Sequence, residues 1–429
     1  MAFNGLIWQE LSAPYVLNDI SDTCSAILEG LLRHICTPHN AKESQINIIQ
    51  KQRKRFEVGR NFVRKSSNLR SILTYYRIMY TDETLETRLD QNPDILSVRN
   101  GIIDLQTGVI RNGAASDYMS QQLDILYHGL DAKTDIVDEF IGGLFNHDED
   151  SITYLQRLLG YSITGRMDSQ VWCMFTGKGS NGKSLLASLL EDLLENWVVT
   201  APYEIFFRGD QRARDGSHST HLGTLKGARI CIKEEAEPKD KLNTETLKTA
   251  TGGGSITMRG AYEREFETFK PMCLPILLCN HRPEVDITDE AMMRRIIVVP
   301  FNNIYTTPDD PKRPFNNANS AHRLRDPELK HRLLKQDARQ QFVVWLVRGA
   351  VAWYRNKDLS QHPPAMLRAF QEYNDENDKL QQSIHNHCEV GVLHRVNATD
   401  FRTQYCKAMH ASIMQIKLAE LMHEKGFKA

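Results

Sequence analysis

Apolar residues recur along this chain with two different periods, and the change of period marks out its parts. Residues 14–95 predict a largely helical start. The string Asn100–Gly108 then predicts short β segments joined by tight turns, because its Asn-Gly and Thr-Gly steps favour positive φ. Helical spacing returns with Val137, Phe140, Ile141 and Leu144 on one face, and with Tyr154, Leu155, Leu158 and Leu159 on another. From there short apolar runs at Val171–Thr176, Ala228–Ile232, Pro275–Cys279 and Ile296–Val299 alternate with loops and helices. That alternation predicts an α/β core. Pro, Asp and Asn cluster over Thr306–Ala321 and mark a boundary. Leu329–Tyr354 predicts a helix pair, and the rest to Ala429 is mostly helical. The expected domains are 1–130, helical; 131–305, the α/β core; and 306–429, helical again.

With 429 residues the chain exceeds what one hydrophobic core usually holds. Hydrophobic residues make up 41% and charged ones 25%, as in ordinary globular proteins. No run of apolar residues is long enough to span a membrane, and Met1–Gln9 lacks the features of a secretory signal. Eight cysteines without a Cys-x-x-Cys pair predict a reducing, intracellular setting, and no membrane partner is expected. The net charge of −1 gives no global attraction to a polyanion, so any such contact must come from local patches. One candidate is Lys51–Arg77, with nine basic residues against the single acid Glu57 and with Phe56, Phe62, Tyr75 and Tyr76 interleaved. It fits either a nucleic-acid footprint or a solvated helix face whose aromatics turn into a core.

The chemistry centres on one loop. After the run Val171–Thr176, the residues Gly177, Lys178, Gly179, Ser180, Asn181, Gly182, Lys183 and Ser184 fit G-x-x-x-x-G-K-[ST] at every defined position. Behind them Leu186, Leu189, Leu190, Leu193 and Leu194 give a helix with one apolar face. Glycines let the backbone wrap a phosphate, and the helix N-terminus turns its free N–H groups towards the anion. Lys183 is expected to reach the β- and γ-phosphates of ATP, and the Ser184 hydroxyl to ligate Mg²⁺. Hydrolysis also needs a carboxylate near the metal, a group that orients water, and positive charge at the departing phosphate. Glu234 and Glu235 end an apolar run; Glu234 is assigned to the metal and Glu235 to the water, against a plain pair of loop acids. Asn280 ends another run and either contacts the γ-phosphate or serves as a turn residue. Arg294 and Arg295 precede a third, as a catalytic pair or a surface patch.

In this order the motifs resemble the superfamily 3 helicases, in the branch of poxvirus, giant-virus and phage or plasmid primase-helicases. The strings Asn100–Gly108, Leu158–Gly165, Leu247–Gly253 and Asp289–Ile296 carry the likeness, which covers residues from about 95 to the end. It implies an AAA+-type P-loop core in a homo-oligomer, a hexamer, with ATP between subunits and an arginine, Arg294 or Arg295, supplied by the neighbour. It further implies a β-hairpin over Ser255–Lys270 that lines the ring channel, with Arg259, Tyr262, Arg264 and Lys270 contacting single-stranded DNA. A solvated hairpin is the plainer alternative. The tail resembles part of a winged helix.

Two departures matter. Gly252, Gly253 and Gly254 stand where relatives commonly have Gly-Gly-Asp, and the stretch before 95 is too short for a polymerising primase domain. The expectation is therefore an ATP-driven helicase of viral, phage or plasmid replication, working on single-stranded or forked DNA, alongside a separate primase or polymerase. An ATP-switched DNA-binding ring or loader without processive unwinding is the alternative. A small-molecule kinase would leave the Glu, Asn and Arg motifs without a role.

Overall fold

The computed structural model describes the chain apart from residues 36–39, 41, 83, 209–220, 260–265, 312, 392–393, 410–412 and 428–429. It divides into two compact units, Met1–Asn92 with Asn112–Gln122, and Pro93–Arg111 with Leu123–Ala429.

The first unit is built on three helices, Ala13–His34, Glu43–Val63 and Ser66–Tyr80, with a short strand pair, Ala2–Phe3 against Trp8–Gln9. Its interior is thin: Glu43–Val63 buries no residue, and Leu69 is among the few apolar side chains fully enclosed.

The second unit holds the α/β core that the alternating runs predict. Five parallel strands, Trp172–Thr176, Val198–Thr200, Ile230–Glu234, Leu274–Cys279 and Ile296–Pro300 (β1 to β5 in chain order), line up as β5-β1-β4-β3-β2. Strands of a parallel sheet are covered on both faces and so are apolar without alternation. β1 and nearly all of β4 are buried along their length. Trp172, Met174, Cys231 and Leu277 join one large core with Phe206, Leu247 and Tyr373. Successive residues of a strand point to opposite faces, so Cys173 and Phe175 pack on the other side, and all are buried. Helix Lys183–Leu194 starts at the C-terminal end of β1 and buries Leu186, Leu189, Leu190, Leu193 and Leu194.

Before the sheet, Ile95–Val98, Gly101–Asp104 and Ile110–Arg111 form the three-stranded meander expected around Asn100–Gly108. Gly101 permits it, because a Cβ there would sit 2.5 Å from the Arg111 carbonyl oxygen. Arg166, just past the helix Glu149–Thr164, grips Asp94 with Nε at 2.9 Å and Nη2 at 2.7 Å, and the Tyr354 hydroxyl donates to the same carboxylate. These contacts hold the Asp94 carboxyl below the usual carboxylate range although burial opposes them.

Helix Glu149–Thr164 lies against Gln336–Asn356 at very close range. A Cβ on Gly160 would come 2.1 Å from the Ala350 nitrogen, and one on Gly349 would come 1.9 Å from the Gln156 oxygen. Gly160→Ala must therefore push two backbones apart. The expected cost is about 3 kcal/mol or more, read as a fall of several degrees in Tm.

Beyond Asn377, helices Lys379–His387, Ala398–Ala408 and Gln415–Glu424 enclose a small core of Leu380, Ile384, Phe401, Tyr405 and Leu418. No strand accompanies them among the described residues. No helix is long and apolar enough to cross a membrane among the described residues.

Candidate nucleotide site

The loop 177–184 takes its shape from residues that no other side chain could replace. A Cβ on Gly177 would meet the Asn181 side chain at 2.0 Å and the Phe301 carbonyl at 2.5 Å. Gly182 has φ +88°, and its Cβ would strike Leu144 at 2.3 Å. Beyond that turn the helix begins at Lys183, so its first N–H groups open into the loop, as an anion site requires. Ser184, in the first turn, is exposed.

Lys183 is buried, with 5% of its surface exposed. Its ammonium donates to the Gly177 carbonyl at 2.9 Å, to Asn181 Oδ1 at 3.1 Å and to Asn280 Oδ1 at 3.2 Å. All three acceptors are neutral, so burial dominates and pushes the Lys183 pKa down to about 8. An anion reaching this ammonium would restore its preference for the charged form.

The sheet register gathers the other candidates. Cys279 pairs with Thr176, and Leu278 with Glu234, so β1, β3 and β4 end at nearly the same level. Gly177, Glu235 and Asn280 are the residues that follow, at the carboxyl edge where open α/β sheets bind ligands. Glu235 turns out of the strand with φ +61°, held by its N–H to the Leu278 carbonyl at 2.8 Å, and its side chain is exposed. Glu234 is exposed as well. Its charge reaches Glu191 on the helix behind the loop, where partial burial first and Glu234 second raise the Glu191 carboxyl.

The arginines stand elsewhere. Ile296 pairs with Trp172, which puts Arg294 and Arg295 at the opposite, amino edge of the sheet. The five residues of β1 lie between that edge and Gly177, so Arg295 and Gly177 are six strand steps apart, roughly 20 Å, beyond the reach of an arginine side chain. The two also differ from each other. Arg295 is buried, donating to the Ala291 carbonyl and, through Nη2, to Gln170 Oε1 at 3.0 Å. Arg294 is exposed and has no side-chain partner among the described residues. The expected hairpin is present as strands Ile256–Arg259 and Phe266–Phe269, paired antiparallel with Ile256 and Phe269 buried at the base. Lys270 is exposed beside it. Tyr262 and Arg264 lie outside the described residues, and of Arg259 only the backbone is described.

Comparison with known proteins adds a lineage to this geometry. Residues 2–151 match the family described as "D5 N terminal like", and residues 175–295 match a family of unknown function (DUF5906). A candidate helicase of Acanthamoeba polyphaga mimivirus is 32% identical over 222 residues, covering 51% of this chain and 23% of that protein. A candidate helicase of Invertebrate iridescent virus 3 is 26% identical over 242 residues, covering 54% and 25%. A candidate primase of African swine fever virus is 22% identical over 321 residues, covering 70% and 32%. Over half or more of its length the chain is similar to viral proteins named as helicases and primases. It spans about a quarter to a third of the length of these relatives. Among solved structures, the apo form of the NrS-1 C-terminal region has a TM-score of 0.40 and 16% identity, covering 67% of this chain and 64% of that one. That overlap is too loose to add to the fold described above.

The likeness begins earlier than the motifs indicate. The string Asn100–Gly108 places the start near 95, whereas the family match begins at residue 2 and takes in all three N-terminal helices. Helices without glycine loops or charged strand ends carry no motif to read. Several residues that brace the loop were equally silent. The Phe301 carbonyl accepts from Asn181 Nδ2 at 3.2 Å, Tyr305 N–H donates to the Ser180 carbonyl at 2.6 Å, and Arg313 Nη1 donates to the Lys178 carbonyl at 2.9 Å. They lie more than a hundred residues downstream, and only the fold returns them to the loop. No group of three or more His, Cys, Asp or Glu side chains fit to hold a metal occurs among the described residues. A cation at this loop would depend on phosphate oxygens together with Ser184 and Glu234.

Proposed function

We propose that this chain is the motor part of a replicative DNA helicase, with an AAA+-type P-loop core that hydrolyses ATP with Mg²⁺ at loop 177–184. The observation that carries the proposal is the meeting of Lys183, Asn280 and the Glu234–Glu235 turn at one sheet edge, opposite the mouth of a helix. The loop N–H groups cradle the phosphates, and Lys183 holds the β- and γ-phosphate charge. Ser184 and Glu234 are the residues that would hold Mg²⁺, which would supply further positive charge at the phosphates. Glu235 orients the attacking water, and Asn280, already bonded to Lys183, fixes the γ-phosphate end of the site.

Charge on the far side of the γ-phosphate has to come from elsewhere, since Arg294 sits at the other edge of its own sheet. A second copy packed edge to edge would bring Arg294 to its neighbour's nucleotide, so we assign the finger to Arg294 and the active form to a ring, a hexamer. Arg295, buried and bonded to Gln170, holds the turn that presents it. The hairpin Ile256–Phe269 would then grip single-stranded DNA, with Arg259, Tyr262, Arg264 and Lys270 as its contacts. A separate primase or polymerase is the expected replication partner.

Glu235→Gln tests the site directly. The amide keeps the shape and loses the charge that orients water, so ATP should bind as before and turnover should fall by roughly 10²-fold or more. Wild-type hydrolysis in that variant would move the role to Glu234.

A further inference from the structure

The basic stretch Lys51–Arg77 allows two arrangements, depending on whether its aromatics turn inward. Three of the four stay outside, Phe62 51% exposed, Tyr76 55% and Tyr75 63%, while Phe56 is half-buried. The cations are outward too, with Arg60 alone half-buried among the nine. Arg53 pairs with Glu57 at 3.8 Å and Arg64 with Glu29 at 3.1 Å. Lys51, Lys54, Arg55, Lys65 and Arg70 have no carboxylate partner among the described residues. On helix Glu43–Val63 the residues Lys51, Arg55, Val58 and Phe62 follow at steps of three and four, so they share one exposed face.

Such a surface is costly to leave without a partner. Exposed aromatics and aliphatics among unpaired cations call for a ligand that is both anionic and flat. Phosphates meet the cations, and unpaired bases meet the rings. A duplex satisfies only half of this, because its bases are stacked on each other. We propose that the N-terminal helical unit carries its own binding surface for single-stranded nucleic acid, formed by Lys51, Lys54, Arg55 and Phe62 on helix Glu43–Val63. This surface belongs to a different unit of the chain from the nucleotide loop and the hairpin, and it needs no ATP.

The test uses the full chain without nucleotide and a fluorescein-labelled oligo(dT), followed by anisotropy over a range of salt concentrations. Changing Lys51, Lys54 and Arg55 together to Glu should weaken binding by about 100-fold. It should also flatten the salt dependence by roughly 0.7 in log–log slope for each phosphate no longer neutralised. Phe62→Ala should weaken binding on the order of tenfold and leave the slope as it was. These side chains are exposed, so the variants should keep the wild-type circular dichroism and Tm. Wild-type affinity in the triple variant overturns the proposal, and so does a duplex bound as tightly as the single strand. A loss of binding accompanied by a fall in particle mass also overturns it, since the face would then be a seam between copies. A chain that binds strands here but hydrolyses no ATP sinks the motor proposal and leaves this one standing.

Discussion

Lys183→Ala should abolish nucleotide binding at any practical concentration. Its ammonium is the buried cation of the loop, already desolvated and aimed by three oxygens. Removing one partner from a buried charged contact costs about 3–5 kcal/mol, or roughly 10²- to 10⁴-fold in Kd. Titration with a fluorescent ATP analogue measures this, and wild-type affinity would remove Lys183 from the phosphate contacts. The same residue predicts a pH dependence. With its pKa near 8 the free protein sheds the proton above that pH, whereas bound phosphates require the ammonium. Affinity should therefore fall as pH rises beyond about 8, approaching tenfold per unit, and binding there should take up a proton. Stability without nucleotide follows the opposite course. The unfolded chain binds more protons between about 8 and the ordinary lysine value of 10.5, so this group's contribution to stability rises across that window.

The second large effect is expected at the other edge of the sheet. Arg294→Ala should leave ATP affinity intact and lower turnover by ~10³-fold or more, the usual consequence of losing an arginine finger. Because Arg294 cannot reach its own loop, mixing this variant with Lys183→Ala protein should restore part of the activity. Mixed rings contain interfaces where one subunit's intact lysine faces another's intact arginine. No recovery in rings shown to be mixed would exclude a finger acting between subunits. Arg295→Ala should behave differently, since it strips partners from Gln170 and the Ala291 carbonyl; the expected loss is in Tm, by a few degrees.

How much of this was legible beforehand depends on what each residue must satisfy. The strands were plain because a parallel sheet buries both faces, so β1 and β4 read as unbroken apolar runs. The loop was plain because Gly177 and Gly182 have no room for a Cβ, a constraint that only glycine meets. The hairpin strands were legible from their β-rich ends, although the tip residues Tyr262 and Arg264 lie outside the described residues. Arg294 and Arg295 looked equivalent in sequence, and their separation into an exposed and a buried partner depends on Gln170, more than a hundred residues away. The N-terminal aromatics were ambiguous for a related reason. A helix with apolar and basic residues on several sides does not say which side finds a core, and here Glu43–Val63 finds almost none.

The central claim is that hydrolysis at loop 177–184 separates DNA strands, and a labelled forked duplex tests it most directly. Incubated with the chain, ATP and Mg²⁺, the fork should release its labelled strand. Release should require hydrolysable ATP, and it should vanish in Glu235→Gln although that variant still binds both ligands. A fork that stays intact while the wild-type chain binds it and hydrolyses ATP would contradict the account and leave an ATP-switched DNA-binding ring in place of a helicase.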